Sequence, residues 1–377
     1  MGNIMRDKIW KITENKDWQN VRNSFSWIQD MEGVLQDKVH HAEGDVAVHT
    51  RMVVEALLNL AEFQKLEEQE KEILFAAALL HDVEKRSTTV HESDGSITSR
   101  GHTRKGEFTA RTILYKDIPT PFLIREAVAK LVRNHGLPIW IFEKENPRKT
   151  LLQTSLEVNL AHLAILAKAD MLGRICQDQS EMLYQIQLFE EFCKEEDCFG
   201  KMKNFGSDLG RYQFFQKEEA SPDYVPFENN TFEVIMLSAL PGTGKDFFIK
   251  KNYQDVPVIS LDAIRRENKI SPTDKKGNGQ VIQLAKEQAR VFLRKKESFL
   301  WNATNISRNL RTPLIDLFQS YGAKTKLIYL EVPCKKLMQQ NRNRDFPVPQ
   351  KVMEKLVSKL EVPSKWEVPT LEIHILG

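Results

Sequence analysis

Apolar residues recur at helical spacing through the first half of the chain. The segments that carry this pattern are residues 48–63, 70–81, 122–135, 156–172 and 181–192. A repeat near 3.6 residues places apolar side chains on one face of a helix. Turn-forming residues punctuate the pattern at Ser93–Ser96 and Gly136–Pro138. No alternating strand pattern of comparable strength occurs in this half, so the sequence predicts an all-helical bundle.

The pattern changes after a polar segment, Gln216–Pro226, which contains two prolines. Short apolar runs then alternate with helical segments, and these runs are Glu233–Leu237, Pro257–Ser260 and Lys326–Leu330. Such runs are typical of parallel strands covered by helices on both faces. We therefore predict an α plus α/β protein of two domains, with a helical domain and linker at 1–228 and an α/β domain at 229–377.

Composition agrees with a soluble two-domain protein. The chain has 377 residues, of which 41% are hydrophobic and 28% charged. The longest plain apolar run, Ile73–Leu80, is far shorter than the roughly 20 residues that cross a bilayer. Met1–Asp7 lacks a signal-peptide core, and the four cysteines show neither zinc nor disulfide spacing. We expect reduced thiols, a cytoplasmic location and no membrane partner.

Charge is distributed unevenly between the two halves. The net charge of +2 combines +10 in residues 229–377 with −8 in the remainder. A basic half suggests a polyanionic partner, although basic side chains are also ordinary solubilising surface. The acidic half suggests carboxylates that hold metal.

A glycine-rich loop, Pro241–Lys245, follows the first apolar run and precedes the helical segment Phe247–Lys250. Glycines let backbone N–H groups converge on phosphate oxygens, the helix N-terminus adds its dipole, and the lysine reaches the outer phosphates. The predicted nucleotide-binding residues of this loop are Gly242, Thr243, Gly244 and Lys245. Ala239 replaces the usual first glycine, and Asp246 replaces the Ser or Thr that binds Mg²⁺. We predict a phosphotransferase that uses ATP or a related nucleotide with Mg²⁺.

Asp262 and Arg265 follow the second apolar run. The spacing places the carboxylate at the carboxyl end of a strand and the arginine one turn later on the same face. In a kinase that phosphorylates an alcohol, the carboxylate can take the hydroxyl proton while the arginine holds a neighbouring phosphate. The alternative for Asp262 is a helix cap.

Asn302, Arg342 and Arg344 complete the predicted nucleotide site. Asn302 stands at a predicted strand end where small P-loop kinases often carry aspartate. We hypothesise that Asp246 and Asn302 exchange the usual hydroxyl and carboxylate roles, so that the metal site keeps one acid. The two arginines are placed like those of a lid over ATP, where they neutralise charge on the transferring phosphoryl group. A solvated surface run is the alternative for them.

These residues resemble the 5′-OH polynucleotide kinase family over nearly all of 232–377. The resemblance rests on the P-loop, Asp262 and Arg265, Ala303–Asn305, Arg344 and Val348–Pro349. It implies transfer of the ATP γ-phosphate to a 5′-OH end of RNA or DNA. Asp262 is then the general base, Arg265 contacts the acceptor phosphate, and Arg344 contacts the ATP phosphates. Gln340 departs from the family, whose lid often has another arginine there.

Histidines and aspartates of the first half follow a distinctive order. They are His49, His81, Asp82, His102, His135 and Asp170. Imidazole and carboxylate ligands without thiolates suit Mn²⁺, Fe²⁺, Co²⁺, Ni²⁺ or Zn²⁺, and a two-metal site can activate water and polarise a phosphoryl oxygen. Singly, each histidine also fits a satisfied core residue.

The order resembles HD-superfamily phosphohydrolases over residues 40–175. The resemblance implies that His49, His81, Asp82 and Asp170 bind a first metal and that His102 and His135 complete a second site. Lys85 and Arg174 are candidates for contacts with substrate phosphate, while Glu84 replaces a glycine common after the His-Asp pair. The remaining candidates, His40, His41, His91 and His162, fit no ligand position.

The two regions together resemble bacterial bifunctional proteins that fuse an HD phosphohydrolase to a polynucleotide kinase. The resemblance implies RNA end healing, in which the HD domain, with Asp82 as a catalytic residue, removes a 2′,3′-cyclic or terminal phosphate. The kinase phosphorylates the 5′-OH, and an RNA ligase can act downstream. One alternative is a small-molecule kinase joined to an HD nucleotidase. Another is a degenerate RNA-binding or regulatory protein, suggested by Ala239, Asp246, Asn302 and Gln340.

Overall fold

The computed structural model describes residues 8–228, 231–271 and 274–376. The chain divides into two compact units, one up to Asn204 and one from Phe205. This division falls earlier than the predicted boundary at 228. The segment after Phe205 lies with the second unit because Arg211 donates hydrogen bonds to the carbonyls of Lys365 and Pro369, at 3.1 and 2.7 Å.

Helices build the first unit. They are α1 (Trp18–Ser24), α2 (Ser26–Gln29), α3 (Val46–Asn59), α4 (Ala61–Gln64), α5 (Glu68–Leu80), α6 (Lys85–Thr88), α7 (His102–Thr112), α8 (Phe122–Asn134), α9 (Leu137–Trp140), α10 (Pro147–Ser155), α11 (Leu160–Leu172) and α12 (Gln179–Glu195). A π-helical turn, Ile113–Asp117, and a 3₁₀ turn, Ile141–Glu143, supplement them. The predicted helical fold is confirmed, with one addition. Strands β1 (Val90–His91) and β2 (Ile97–Thr98) form a small hairpin around the predicted turn.

Two helices form the centre of this unit. Every residue of α5 from Leu74 to Leu80 is fully buried, and α11 is buried on nearly all sides. A helix that is apolar all round can only be stable inside the protein. The last turn of α5 therefore delivers the next residues, His81 and Asp82, into the interior.

The second unit is an α/β structure. Its elements are α13 (Asp208–Gln216), β3 (Glu233–Ser238), α14 (Lys245–Asn252), β4 (Val258–Ser260), α15 (Leu261–Glu267), α16 (Lys275–Lys295), β5 (Phe299–Asn302), α17 (Arg308–Ser320), β6 (Lys324–Glu331), α18 (Cys334–Arg342), α19 (Gln350–Val357), a 3₁₀ turn (Lys365–Glu367) and β7 (Thr370–Ile375). The strands form one parallel sheet in the order β4-β5-β3-β6-β7.

Both faces of this sheet are covered, as predicted. Val234 and Met236 of β3 pack into a core on one face, while Ile235 and Leu237 pack into a second core on the other. Side chains alternate between the faces along a strand, so an unbroken apolar run is required when both faces are buried. β7 was not predicted, since its half-exposed residues give a weak apolar signal.

The carboxyl ends of three neighbouring strands meet at one edge of the sheet. β3 ends at Ser238 and leads into the glycine-rich loop, and Ser260 of β4 pairs in register with Asn302 of β5. This is the edge at which α/β sheets bind ligands. Among the described helices of the whole chain, none has the length and apolar character that a membrane span requires.

Candidate metal centre and phosphate-binding loop

The predicted metal ligands of the first unit converge in space. His49 lies in α3, His81 and Asp82 follow α5, His102 begins α7, His135 follows α8, and Asp170 lies in α11. All are buried except His102, whose side chain keeps 21% of its surface exposed. Residues far apart in sequence therefore share one interior site.

Three of these residues form a first cluster. Nε2 of His49 lies 3.1 Å from Oδ1 of Asp170 and 3.4 Å from Nε2 of His81. The potential ligand atoms of the three all lie within 4.8 Å of one another. Such a group of two imidazoles and a carboxylate can hold one divalent transition metal.

Asp82 links this first cluster to a second. Its Oδ2 lies 3.3 Å from Nε2 of His81, while its Oδ1 lies 3.3 Å from Nε2 of His102 and 3.8 Å from Nε2 of His135. Asp82, His102 and His135 form the second group of potential ligands. One carboxylate thus faces both clusters, an arrangement suited to a two-metal site.

Backbone carbonyls fix the orientation of three rings. Nδ1 of His81, His102 and His135 lies 2.8, 2.7 and 3.0 Å from the carbonyl oxygens of Ala78, Ser99 and Val132. A carbonyl only accepts, so each Nδ1 carries a proton, and each Nε2 faces the site and presents a lone pair to it whenever the ring is neutral. His81 and His135 use carbonyls from the last turn of a helix, which lack a helical partner.

The protonation states mostly suit metal binding. Burial alone would raise the pKa of Asp82, but Lys85 and His81 hold that pKa well below its usual range. Burial lowers the pKa of His135 to about 3 and also lowers the pKa of His102. His81 differs, because Asp82 keeps its pKa raised despite burial, so a metal there displaces a proton.

Unsatisfied polar atoms point to the same use of the site. Within the described ranges, Oδ1 of Asp82 and Nε2 of His102 are buried without a hydrogen-bond partner. Buried polar atoms without partners are rare, and a missing ion is a common reason. The donor set and these orphaned atoms therefore fit divalent metal ions.

Lys85 and Arg174 each contact a carboxylate of the candidate metal centre, and their predicted contact with substrate phosphate stays a prediction. Nζ of Lys85 lies 2.7 Å from Oδ2 of Asp82 and donates to Oε1 of Gln36 at 2.8 Å. Arg174 donates from Nε and Nη2 to the two oxygens of Asp170, at 3.0 and 2.7 Å. Both pairs lie within about one helical turn in sequence, at i,i+3 and i,i+4, so the spacing permits them, but residue type alone does not distinguish a carboxylate partner from a substrate phosphate.

Sequence reasoning missed one buried group beside the first cluster. Glu43 lies with His41 and His49 in a third set of adjacent ligand atoms, although His41 had been given no ligand position. A glutamate in the irregular segment before α3 has no periodic pattern to mark it. Its contact with Ile175 arises only when distant segments pack together, and its contacts with His41 and His49 follow no regular spacing.

The glycine-rich loop of the second unit has the backbone that its sequence predicts. Gly242 and Gly244 have φ angles of 86° and 88°, in the left-handed region that favours glycine. Ala239 is fully buried and is not among the described non-glycine residues with positive φ, so a methyl group is tolerated there. Lys245 begins α14, which places the helix N-terminus at the loop.

The two departures from the usual phosphate-loop pattern contact each other. Nδ2 of Asn302 donates a hydrogen bond of 2.8 Å to Oδ1 of Asp246. Asn302 is buried at the end of β5, and Asp246 lies in the first turn of α14. The contact makes the two positions physically dependent, as the exchange hypothesis requires, and the exchange of metal roles remains a prediction.

Asp262 and Arg265 form an ion pair beside the loop. Nη1 of Arg265 donates to Oδ1 of Asp262, and its Nε donates to Oδ1 of Asn278 at 3.0 Å. Ser260 accepts the capping hydrogen bond of α15, so Asp262 is not the helix cap. Its side chain is 64% exposed and open to an acceptor.

The predicted lid follows α18. Arg342 ends that helix, and both Arg342 and Arg344 are exposed. Asn341 joins the lid to the loop: its side-chain amide makes two hydrogen bonds with the backbone of Val348, at 2.8 and 3.0 Å. A Cβ atom on Gly242 would lie 3.4 Å from Asn341, so loop and lid are in close contact.

ATP affinity of the second unit is expected to fall as pH rises above 8. Burial lowers the pKa of Lys245 to about 8, although Asp262 and Asp246 oppose the shift. Lysine is charged below its pKa, so the cation that binds phosphate is lost above that pH. The KM for ATP should rise by up to about tenfold per pH unit.

The measurement is a steady-state titration of ATP from about pH 7 to pH 9.5. Lys245→Arg is the control, because arginine stays protonated throughout this range and should remove most of the pH dependence. A wild-type KM that is constant across the range would contradict the assignment of Lys245.

Comparison with known proteins separates the two units in the same way. Residues 46–172 match the HD domain family, and residues 234–363 match an AAA domain family. Among solved structures, one from Chloroflexus aurantiacus described as a "putative kinase" has 16% identity and a TM-score of 0.34, covering 39% of this chain and 86% of that one. The chain carries a helical HD domain followed by a P-loop kinase-like domain with a parallel five-stranded sheet.

Proposed function

We propose that this protein prepares broken RNA ends for ligation through two activities. The kinase-like unit phosphorylates a 5′-OH end, and the HD unit removes a 2′,3′-cyclic or terminal phosphate. The observation that carries the kinase assignment is the position of Asp262, an exposed carboxylate in the first turn of α15, at the sheet edge that also leads into the phosphate loop. A carboxylate beside a bound γ-phosphate is what an alcohol acceptor needs.

The kinase step uses residues that meet at the edge of the sheet. The 5′ hydroxyl oxygen bonds to the γ-phosphorus of ATP, the bond from that phosphorus to the β–γ bridging oxygen breaks, and ADP leaves. Asp262 takes the hydroxyl proton. Arg265, already hydrogen-bonded to Asp262, orients this carboxylate and offers its remaining N–H groups to the acceptor phosphate. Lys245 and the lid arginines balance the charge on the transferred group.

The hydrolase step depends on the two metal clusters. His49, His81 and Asp170 would hold one ion, His102 and His135 the other, with Asp82 facing both. Divalent ions bound there supply activation of water and polarisation of a phosphoryl oxygen. Lys85 and Arg174 keep the two carboxylates oriented. In hydrolysis of the cyclic ester, water oxygen bonds to phosphorus, one phosphorus–ribose oxygen bond breaks, and that ribose oxygen gains a proton.

The choice of RNA ends rather than small molecules rests on charge. Residues 229–377 carry a net charge of +10, which suits an acceptor with many phosphates. A nucleoside acceptor carries no phosphate, so its binding does not require this excess of positive charge.

End-group analysis of one RNA tests both activities. The substrate carries a 5′-OH and a 2′,3′-cyclic phosphate, and is incubated with ATP, Mg²⁺ and a transition metal. Wild type should convert both ends, Lys245→Ala only the cyclic end, and Asp82→Ala only the 5′ end. Each variant is the control for the other, because each retains one activity of a folded protein.

Other outcomes would favour other functions. Phosphorylation of free nucleosides with no effect of salt would support a metabolite kinase joined to a nucleotidase, since polynucleotide binding weakens steeply with salt. No product at either end, with Lys245→Ala and Asp82→Ala indistinguishable from wild type, would support a non-catalytic binding protein.

A further inference from the structure

Glu43 is a carboxylate buried completely beside the first metal cluster. Its side chain has no exposed surface, and neither has that of His49. An ionised group so placed needs partners that compensate the loss of water. Nδ1 of His49 lies 2.8 Å from Oε1 of Glu43, and Nδ1 of His41 lies 2.9 Å from the same oxygen. The backbone N–H of Ile175 donates to Oε2 at 2.9 Å.

The contact with Glu43 distinguishes the His49 ring from the rings of His81, His102 and His135. His81, His102 and His135 present Nδ1 to neutral backbone carbonyls, whereas His49 presents Nδ1 to a carboxylate. Its Nε2 faces Asp170 at 3.1 Å. The contact is one of charge at 2.8 Å, because Nδ1 of His49 does not meet the angular requirement of a hydrogen bond. A carboxylate so close to the outer nitrogen of a ligating histidine favours the tautomer with the proton on that nitrogen and raises the basicity of the inner nitrogen.

Glu43 also joins two segments that support the cluster. Ile175, whose N–H it accepts, directly follows Arg174, and Arg174 holds both oxygens of Asp170. The backbone N–H of Ala42 donates to the carbonyl of Ile175 at 3.0 Å and reinforces the same junction. Glu43 therefore contacts His49 directly and also holds the segment that carries Arg174, the partner of Asp170. His49 and Asp170 lie near opposite ends of the HD domain sequence.

We propose that Glu43 is a positioning residue that sets the metal affinity of the cluster His49, His81 and Asp170. It acts through Nδ1 of His49 and touches neither substrate nor metal. His41 completes the arrangement by contacting the same carboxylate oxygen through its own Nδ1. The inference rests on the proposed metal-dependent function of the HD unit.

The test is metal binding to the full-length protein, with Mn²⁺ and Co²⁺ titrated into chelator-treated samples. Glu43→Gln should weaken the affinity for one of two ions by about 10- to 100-fold, and should shift the visible absorption bands of bound Co²⁺. Glu43→Asp keeps the charge at shorter reach and should bind metal with intermediate affinity. Phosphate release should fall in step with metal occupancy and recover in part when metal is raised.

Glu70→Gln is the matched control. Glu70 also pairs with a histidine of this domain, with Oε1 at 3.2 Å from Nε2 of His162, outside both clusters. Its capping box with Glu67 can be kept by glutamine. This variant should bind metal like wild type.

The outcomes separate this inference from the proposed function. Wild-type affinity and an unchanged Co²⁺ spectrum in both Glu43→Gln and Glu43→Asp would overturn the positioning role alone. A wild-type protein that bound no divalent ion would overturn both. Circular dichroism in chelator checks that each variant is folded, and glutamine, which has the size of glutamate, leaves no cavity.

Discussion

Asp82→Asn is expected to reduce phosphate release by the HD unit by about three orders of magnitude while 5′ phosphorylation stays at the wild-type rate. A bound divalent ion stabilises developing charge by several kcal/mol, and about 4 kcal/mol corresponds to about 10³-fold in rate. Asp82 faces both clusters, with Oδ2 at 3.3 Å from His81 and Oδ1 at 3.3 Å from His102. Loss of its charge therefore weakens both ion sites at once.

The loss should exceed that of any single histidine, because each ring belongs to only one cluster. Asparagine preserves the shape of the side chain and one acceptor oxygen, so the effect reports charge rather than a cavity. The measurements are the initial rate of phosphate release at saturating metal and the metal content after gel filtration.

Asp17→Asn is the control for charge removal in the same unit. Asp17 caps α1 by accepting from the N–H groups of Gln19 and Asn20, and asparagine caps a helix equally well. Phosphate release should then be unchanged. Wild-type activity in Asp82→Asn would show that the two clusters are not the hydrolase site.

The candidate metal ligands could be recognised in the sequence because their local context is distinctive, and their role as ligands stays a prediction. His81 and Asp82 follow the apolar, buried last turns of α5, and His135 follows the amphipathic helix α8, so polar residues at these points require partners. The fold of the second unit was predictable for a related reason. Unbroken apolar runs such as 233–237 are needed only where both faces of a strand are buried.

The partners of those ligands could not be predicted. Arg174 was expected on substrate phosphate, and the structure shows in addition that it donates to both oxygens of Asp170, while Glu43 received no role at all. The contact of Glu43 with Ile175 joins segments that only the tertiary structure brings together, whereas Arg174 lies four residues after Asp170, so that sequence spacing permits this pair without requiring it. Residue type and spacing identify a charged side chain, but not which of several nearby opposite charges it meets.

Combining Asp246→Ser with Asn302→Asp is expected to restore most of the kinase activity that each substitution alone reduces. Asp246→Ser leaves the site without a carboxylate for Mg²⁺, and the expected loss in kcat/KM is about 10- to 100-fold. Asn302→Asp places two carboxylates where a hydrogen bond of 2.8 Å now lies, so like-charge repulsion replaces attraction. The double variant again has one hydroxyl and one carboxylate, and should come within about tenfold of wild type.

A double-mutant cycle on kcat/KM for a 5′-OH oligonucleotide measures this coupling, for which contacting residues give about 0.5–3 kcal/mol. Asp246→Ser with Asn252→Asp is the matched control. Asn252 donates to the carbonyl of Phe248 within the same helix as Asp246, and these two changes should simply add. Thermal unfolding followed by circular dichroism checks that the kinase-like unit of every variant is folded. A double variant less active than either single variant would rule out the exchange of roles. Asp246 would then have a role that a serine or threonine cannot fill.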